Sequence, residues 1–545
     1  MKSHTSHTDQ RGSTVLTPIA NVWQNVRDTS ETSNSYSKQK QIFATLFASL
    51  GCFLNGTSIG YTGVAIPSLM NGTFDVYGFP ADYSQQQVSW ITSLMYVGCI
   101  LGGLFSRFFM DFMGRRRTLL YIVNTFYLSG HILIFFGSCA EMFYIGRILN
   151  GIALGLELCV ASVYIVEISS TDMRAILGYF IQFMGTLGVL YSFTMGGLFF
   201  NWNGLTAASG VFIIPFILAT YFMPESPHWL LLKGYEFQAV QSLEWLRGRD
   251  DAAVELEILK IKKYLVLKEN EKLSGLGLIK ESPKTLLISL TMMFFWMFSG
   301  YSLYIVYSVS IFEMVGSSIK PSSATIIVGL VLLLSCLVSV YTVSKWSRKW
   351  MMIVSMFLIF FFNLIIGFCM FLHERAKSQD YNGSIEKHLF ISEEINSLNE
   401  TMVREEYLNL SQSVGVSIGW IPLLCVIGII FFGNVGQATL IWIVTSEITP
   451  PKSRNIVNSI LISFAFFCGF LVTKTFVDFV EIFKESKTFW IYSGIAVFGT
   501  FFIMIFVPET KGKTNNEMRI YFGKGPKKHS IRSKHSNEIP LQEIS

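Results

Sequence analysis

One charged pattern occurs twice in this chain, and its two Glu–Arg pairs lie 280 residues apart. It consists of a Glu at the end of an apolar segment, an Arg seven residues later, and a Pro-Glu pair about 60 residues after that. Its members are Glu167, Arg174, Pro224 and Glu225 in the first copy, and Glu447, Arg454, Pro508 and Glu509 in the second. A duplicated unit within long apolar runs is typical of transporters built from two bundles around a central site.

Composition supports a membrane protein. Hydrophobic residues make up 51% of the chain and charged residues 14%, and the mean hydropathy is +0.46, unlike a soluble domain. The eight cysteines lie in or beside apolar segments without metal-ligand spacing, which indicates small core residues. No nucleotide-binding loop or hydrolytic constellation is found outside the apolar segments, so we expect no enzyme activity, no cofactor or metal, and no nucleic-acid partner.

A span needs roughly 20 mainly apolar residues, and twelve segments qualify. They are residues 42–66, 88–110, 117–137, 142–166, 175–199, 205–223, 285–312, 322–343, 351–372, 416–445, 455–479 and 488–507. The predicted fold is therefore an all-α membrane protein of twelve helices in two pseudo-symmetric six-helix bundles. The predicted units are a disordered tail at 1–41, bundles at 42–223 and 285–507, a helical loop at 224–284 and a basic tail at 508–545.

Orientation follows from lysine and arginine. They crowd the turns between spans 2 and 3, 8 and 9, and 10 and 11, whereas the 1–2, 3–4 and 5–6 connections contain none. The positive-inside rule then places both termini in the cytoplasm of a cell-membrane protein. The sequons at Asn71, Asn382, Asn399 and Asn409 fall in connections that this orientation places outside, so we expect glycosylation there.

Two charged elements are candidates for a cytoplasmic gate, the 2–3 turn and the duplicated pattern. The 2–3 turn carries Asp111, Gly114, Arg115 and Arg116, which suit a clamp between neighbouring helix ends; a simple positive-inside anchor is the alternative. The duplicated pattern is the second element. We expect its Glu–Arg pairs, with the Pro-Glu pairs behind them, to hold the bundles together when the central site opens outward. A local ion pair within each turn is the alternative.

Several motifs resemble those of a known family. They are Gly146-Arg147-Ile148-Leu149-Asn150-Gly151, Tyr164-Ile165-Val166-Glu167, Pro224-Glu225-Ser226-Pro227-His228-Trp229 and Pro508-Glu509-Thr510-Lys511-Gly512. They resemble the sugar porter family of the major facilitator superfamily, in particular its insect facilitated trehalose transporters and its glucose transporters. The resemblance implies twelve helices, alternating access and a sugar as the small-molecule partner.

The resemblance also implies a substrate site. Gln182 stands where the family presents an amide to sugar hydroxyls, and Trp442 where an indole packs on the sugar or closes the inner gate. Tyr304 and Tyr307 are retained as polar aromatics of span 7, and Asn434 takes the place of an acid in span 10. The amides that usually flank Ser299-Gly300 are absent, so the identity of the sugar stays open.

Glu157 lies in the middle of span 4, where the family has a small or weakly polar residue. A carboxyl inside a membrane span is by default a functional candidate. Glu157 is therefore a proton site, a contact for a substrate donor, or a neutral acid bonded to a neighbouring helix. Span 1 has no acid near Gly60-Tyr61-Thr62, where proton-coupled relatives have one. We therefore expect a facilitator; a proton-coupled symporter using Glu157 and a non-transporting substrate sensor remain the alternatives.

Overall fold

The structure is a computed structural model that describes residues 35–70, 72–74, 77–78, 80–170, 172–199, 201–248, 251–270, 283–315, 319–391, 420–450, 453–513 and 515–522. Within these ranges twelve helices are long and apolar enough to cross a membrane, which confirms the predicted number and the all-α class. Span 1 begins at Ser35, inside the predicted tail. Asn71, Asn399 and Asn409 lie outside the described residues, and the side chain of Asn382 is likewise not described.

Spans 1 to 6 form the N-terminal half. Their helices are Ser35–Met70 in span 1, Gln85–Met113 in span 2, Arg115–Arg117, Thr118–Val123 (a π turn) and Asn124–Phe135 in span 3, Ala140–Ile168 in span 4, Arg174–Leu198 in span 5, and Trp202–Gly210 with Ile213–Phe222 in span 6. Two short antiparallel strands, Thr73–Phe74 and Pro80–Ala81, join spans 1 and 2.

Spans 7 to 12 form the C-terminal half. Their helices are Pro283–Phe298, Leu303–Val306 and Ser308–Val315 in span 7, Pro321–Lys345 in span 8, Arg348–Ile391 in span 9, Ile421–Phe432, Gly433–Ala438 (a π turn) and Thr439–Ile448 in span 10, Arg454–Phe483 in span 11 and Glu485–Phe506 in span 12. The chain segment that connects span 6 to span 7 contains the helices Pro227–Leu232, Glu236–Arg247 and Asp251–Asn270. The helix Asn515–Tyr521 follows span 12.

The spans alternate in direction between two faces. The basic face is the one that carries the 2–3 and 8–9 turns, including Arg115 and Arg348, and the hairpin face is the one that carries the two short strands. At the start of span 2 on the hairpin face, Ser84 Oγ accepts from the N–H of Gln87 and Gln87 Oε1 accepts from the N–H of Ser84. This reciprocal cap satisfies two donors of the helix start.

Glycine sets two close approaches. Gly114 ends span 2 at a φ of +95°, and a Cβ there would lie 2.5 Å from Glu225 Oε2, so both the turn and the neighbouring carboxylate require glycine. Spans 2 and 4 cross with Gly98 against Gly151, and a Cβ at Gly151 would lie 2.1 Å from Met95 O. Small residues at such crossings let membrane helices pack backbone to backbone.

Among the described residues, three pairs of spans make the largest contacts between the two halves. Span 2 packs on span 11, span 5 on span 8, and span 1 on span 7. The space between the halves is thus bounded by helices from both, which is where the predicted substrate residues of spans 5 and 10 are found.

Candidate functional site

A charge cluster ties the basic face of the N-terminal half together. Arg115 Nη2 donates to Glu167 Oε1 at 2.8 Å, and Ser226 Oγ donates to Glu167 Oε2 at 2.5 Å. Glu225 Oε1 accepts from the backbone N–H of Arg115 at 2.8 Å and of Arg116 at 3.1 Å. The Arg115 and Glu167 side chains are only 12% and 15% exposed. The cluster therefore joins the 2–3 turn, the end of span 4 and the segment after span 6.

The C-terminal half repeats this arrangement. Arg348 forms an ion pair with Glu447, and Ser347 Oγ donates to Glu509. Glu509 also accepts the backbone N–H groups of Arg348 and Lys349, both at 3.3 Å. Burial alone would raise the pKa of Glu509, but hydrogen bonds from Ser347 and from backbone N–H groups outweigh it and leave the pKa below its ordinary value. The repeat seen in the sequence is thus a repeat of geometry.

Two gate residues differ from expectation. Glu167 pairs with Arg115 rather than Arg174, whose side chain is exposed, because the 2–3 turn brings Arg115 over the end of span 4. Asp111 does not clamp a neighbouring helix through its side chain; it is 56% exposed and lies 3.5 Å from Arg107 one turn earlier in span 2. Arg116 instead holds span 6, since its Nε donates to Thr220 O at 3.2 Å. The side chain of Arg454 lies outside the description.

Gln182 and Asn434 meet between the halves. Gln182 Nε2 lies 3.5 Å from Asn434 Oδ1, so span 5 contacts span 10. Asn434 sits in the π turn of span 10, and its Nδ2 donates to Ser335 Oγ at 2.8 Å and to Leu332 O at 3.2 Å. π turns inside helices often mark functional sites because they reorient a side chain. Gln182 is nevertheless exposed, which leaves its amide largely available.

Span 5 has open space beside it one turn nearer the basic face than Gln182. Gly178 precedes Gln182 by one helical turn, and a Cβ built on it would meet no heavy atom within 4 Å. Residues four apart share one face of a helix, and the contact with Asn434 shows that this face looks between the halves. Trp442, the other predicted residue of span 10, is half-buried and packs against the core of the C-terminal half.

The two tyrosines of span 7 are not part of this space. Tyr304 is 1% exposed and its hydroxyl donates to Asn363 Oδ1 at 2.6 Å. Tyr307 is 3% exposed and its hydroxyl donates to Thr473 O at 2.9 Å. Both rings lie in a hydrophobic core to which both halves contribute, and each hydroxyl donates to a residue of the C-terminal half. Span 7 breaks after Phe298 and resumes at Leu303. That Tyr304 and Tyr307 contact a substrate stays a prediction.

Glu157 is enclosed by helices of the N-terminal half. It is completely buried, Asn55 Nδ2 donates to its Oε2 at 2.5 Å, and Cys52 Sγ lies 3.1 Å from its Oε1. Tyr127 donates through its hydroxyl to Asn55 Oδ1. The carboxyl therefore joins spans 1, 3 and 4 in one hydrogen-bonded group.

A polar clasp on the hairpin face links the two halves, and the sequence analysis missed it. Gln86 Nε2 donates to Asp478 Oδ1 at 2.9 Å, and Lys474 Nζ donates to Gln86 Oε1 at 3.1 Å. Lys474 also lies 5.1 Å from the ring centroid of Trp90. The sequence feature that could have predicted the clasp is a pair of opposite charges four residues apart, Lys474 and Asp478, within an apolar run.

Metal coordination would need several ligating side chains close together in the described part of the chain. There, no group of three or more His, Cys, Asp or Glu side chains could hold a metal ion. The arrangement instead offers charge clusters at one face, a clasp at the other, and an exposed amide between two bundles. Such a molecule is a multi-pass membrane protein of the two-bundle transporter class.

The chain belongs to the family described as "Sugar (and other) transporter", whose sequence profile matches residues 44–391 and 405–522. It is 30% identical over 490 residues to the "Facilitated trehalose transporter Tret1" of Polypedilum vanderplanki, covering 89% of each chain. It is 29% identical over 488 residues to the protein of that name in Drosophila willistoni. The chain spans 51% of that relative's length and 52% of that of "Trehalose transporter 1" of Drosophila melanogaster, about half of each.

Solved structures agree on the fold. The inward open conformation of the xylose transporter XylE from E. coli matches with a TM-score of 0.66 at 21% identity, covering 88% of this chain and 99% of that one. The proton:xylose symporter XylE bound to 6-bromo-6-deoxy-D-glucose matches with a TM-score of 0.65 at 22% identity, covering 89% and 100%. The two-bundle prediction is confirmed.

Proposed function

We propose that this protein moves a sugar across the membrane down its gradient by alternating access. The observation that carries the proposal is the contact between the exposed Gln182 and the buried Asn434, one amide from each half, one helical turn from the open position at Gly178. A primary amide both donates and accepts hydrogen bonds, as a sugar hydroxyl requires. Trp442 supplies an indole from the same span as Asn434, a surface suited to the apolar face of a sugar ring.

Family membership narrows the substrate class. Relatives of the chain are named as trehalose transporters, and we extend that class to this protein as trehalose, a hexose or a related polyol. Span 7 bears on the choice among these sugars. It lacks the amides that usually flank Ser299-Gly300, and the hydroxyls of Tyr304 and Tyr307 donate within their own half. Recognition then rests on the residues of spans 5 and 10.

The two faces supply the gates of the proposed cycle. In this conformation the hairpin-face clasp joins the halves, while the ion pairs of Arg115 with Glu167 and of Arg348 with Glu447 each lie within one half. Opening the site to the hairpin face requires the clasp to break and the basic-face residues to approach those of the other half. Arg174, exposed at the start of span 5, is available for such a contact.

Proton coupling is not favoured. Both carboxyl oxygens of Glu157 are engaged by Asn55 and Cys52, and the side chain is fully buried within one half. A coupling site must be reached from each face in turn, whereas this one is enclosed by spans 1, 3 and 4. Glu157 therefore acts as a structural acid in the proposed mechanism.

Orientation is part of the proposal. Lysine and arginine at the 2–3, 8–9 and 10–11 turns support a cytoplasmic basic face and cytoplasmic termini in the cell membrane. The sequons at Asn71, Asn382, Asn399 and Asn409 would then be extracellular acceptors for glycans.

Flux measurements on purified protein in liposomes test the proposal. Labelled trehalose and glucose should exchange across the bilayer without any pH gradient, and unlabelled substrate inside should speed the entry of label. Absence of exchange for both sugars, with protein shown to be inserted and folded, would contradict the proposal. Accumulation driven only by a pH gradient would replace the facilitator with a symporter.

A variant at the site sharpens that test. Gln182→Ala removes a substrate hydrogen bond worth about 1–3 kcal/mol, so affinity should fall about 10- to 100-fold. Gln41→Ala is the matched control, because that amide accepts from the N–H of Ser170 on the basic face of the N-terminal half. Unchanged affinity in Gln182→Ala would remove the residue from the proposed site.

A further inference from the structure

A buried arginine lies in a polar cavity of the N-terminal half, apart from the space between the halves. Arg147 is 1% exposed and lies in span 4, about 10 Å from the start of that helix on the hairpin face at 1.5 Å per residue. The cavity beside it is lined by residues of spans 1, 3, 4 and 6. All four spans belong to one half, so the cavity is distinct from the amide pair of spans 5 and 10.

The guanidinium group is only partly satisfied. Its Nε donates to Ile91 O at 3.2 Å and its Nη1 to Ser58 O at 3.0 Å, while the Tyr61 ring centroid lies 5.6 Å from the guanidinium carbon. Nη2 is buried and has no hydrogen-bond partner among the described residues. In that same part of the chain no carboxylate lies within ion-pair distance of Arg147, and Glu157 is about 15 Å further along the helix.

Unpartnered hydroxyl groups line the same cavity. The Oγ atoms of Ser58 and Ser209 and the hydroxyl of Tyr61 are buried without a hydrogen-bond partner in the described structure. These residues are 4%, 3% and 5% exposed. Each hydroxyl is able to donate, and its hydrogen rotates to suit an acceptor. Asn150 Oδ1 lines the cavity as a buried acceptor that also has no partner among the described residues. One cation with several hydroxyl donors beside it and no acid within ion-pair distance is the chemistry of an anion site.

We propose that this cavity binds one small monovalent anion, of which chloride is the test species. An uncompensated charge in a low-dielectric interior is strongly unfavourable, and water would supply hydrogen bonds without neutralising it. A single cation with neutral donors matches a single negative charge better than a divalent anion. The bound anion would stabilise the packing of spans 1, 3, 4 and 6 around Arg147.

Thermal unfolding of the purified full-length protein provides the test. Chloride is titrated against gluconate at constant ionic strength, and the unfolding midpoint should rise saturably with chloride because the ligand binds the folded state. Bromide in place of chloride should give anomalous scattering beside Arg147 Nη2. Ser58→Ala and Ser209→Ala each remove one donor and should weaken apparent halide affinity about tenfold.

A matched control separates this effect from general loss of a buried serine. Ser339 is fully buried in span 8 and its Oγ donates to Cys336 O at 2.7 Å, so Ser339→Ala should leave the halide response unchanged. Equal midpoints in chloride and gluconate, or bromide crystals without anomalous signal at Arg147, would overturn the proposal. A halide response undiminished in both cavity variants would also place the anion elsewhere. None of these outcomes depends on sugar transport.

Discussion

The hairpin-face clasp gives the sharpest test of the proposed cycle, because the adjacent residues Gln86 and Gln87 have different hydrogen-bond partners. Gln86 bonds to Asp478 at 2.9 Å and to Lys474 at 3.1 Å in the other half. The Gln87 side chain instead accepts from the N–H of Ser84 at 2.9 Å in the cap of its own helix, where the backbone N–H of Gln87 donates to Ser84 Oγ at 3.3 Å. Gln86→Ala therefore removes two contacts between the halves, whereas Gln87→Ala removes one side-chain contact, from the N–H of Ser84, within the cap of span 2.

The magnitude follows from exposure. These side chains are solvent-accessible, and Lys474 keeps Asp478 as a neighbour four residues away at 3.8 Å. Exposed polar contacts of this kind contribute about 0.5 kcal/mol each after solvent screening. Losing both should cost the conformation closed at the hairpin face about 1 kcal/mol, which is about a fivefold shift in the ratio of the two conformations.

Distance distributions between spin labels at the hairpin-face ends of spans 2 and 11 measure that ratio directly. Gln86→Ala should enrich the longer distance about fivefold, and Gln87→Ala should leave the distribution unchanged while lowering thermal stability slightly. The effect of Gln86→Ala on this ratio should also be smaller at high salt, as long as Lys474 is unchanged. Equal shifts in the two variants, or no shift in Gln86→Ala, would refute the assignment of the clasp as a gate.

Three further predictions concern the route, the buried acid and the basic face. Gly178→Trp fills the open space one turn from Gln182 and should block flux. Gly494 lies in span 12 and its Cβ position also meets no atom within 4 Å, so Gly494→Trp should transport normally. Normal flux in Gly178→Trp would show that the substrate route lies elsewhere. Glu157→Gln keeps the shape and hydrogen bonding of the side chain, so sugar exchange should remain independent of pH. A substrate-evoked proton current that is present in wild type and absent in Glu157→Gln would contradict the proposal that the protein is a facilitator. Arg115→Ala leaves the largely buried Glu167 without its ion pair and should lower stability by about 2 kcal/mol, well above any effect of Arg174→Ala in the same unfolding assay.

The sequence by itself determined the membrane class, the number of spans and the duplication. Each span is an apolar run long enough to satisfy its own backbone hydrogen bonds as a helix in lipid, so local composition is sufficient to locate it. The charge clusters were also visible in sequence, because Glu167, Glu225, Glu447 and Glu509 repeat with matched spacing. The resemblance to sugar porters added the positions of Gln182 and Trp442.

Only the tertiary structure decided which groups meet. Sequence spacing favoured Arg174 as the partner of Glu167, but the 2–3 turn delivers Arg115 instead. The break in span 7 turns Tyr304 into the core, and the π turn in span 10 aims Asn434 at Gln182. A π turn or a helix break rotates every side chain that follows it, and contacts between halves join residues hundreds of positions apart. Local pattern carries no information on either, so the amide pair, the clasp and the cavity of Arg147 required the packed helices.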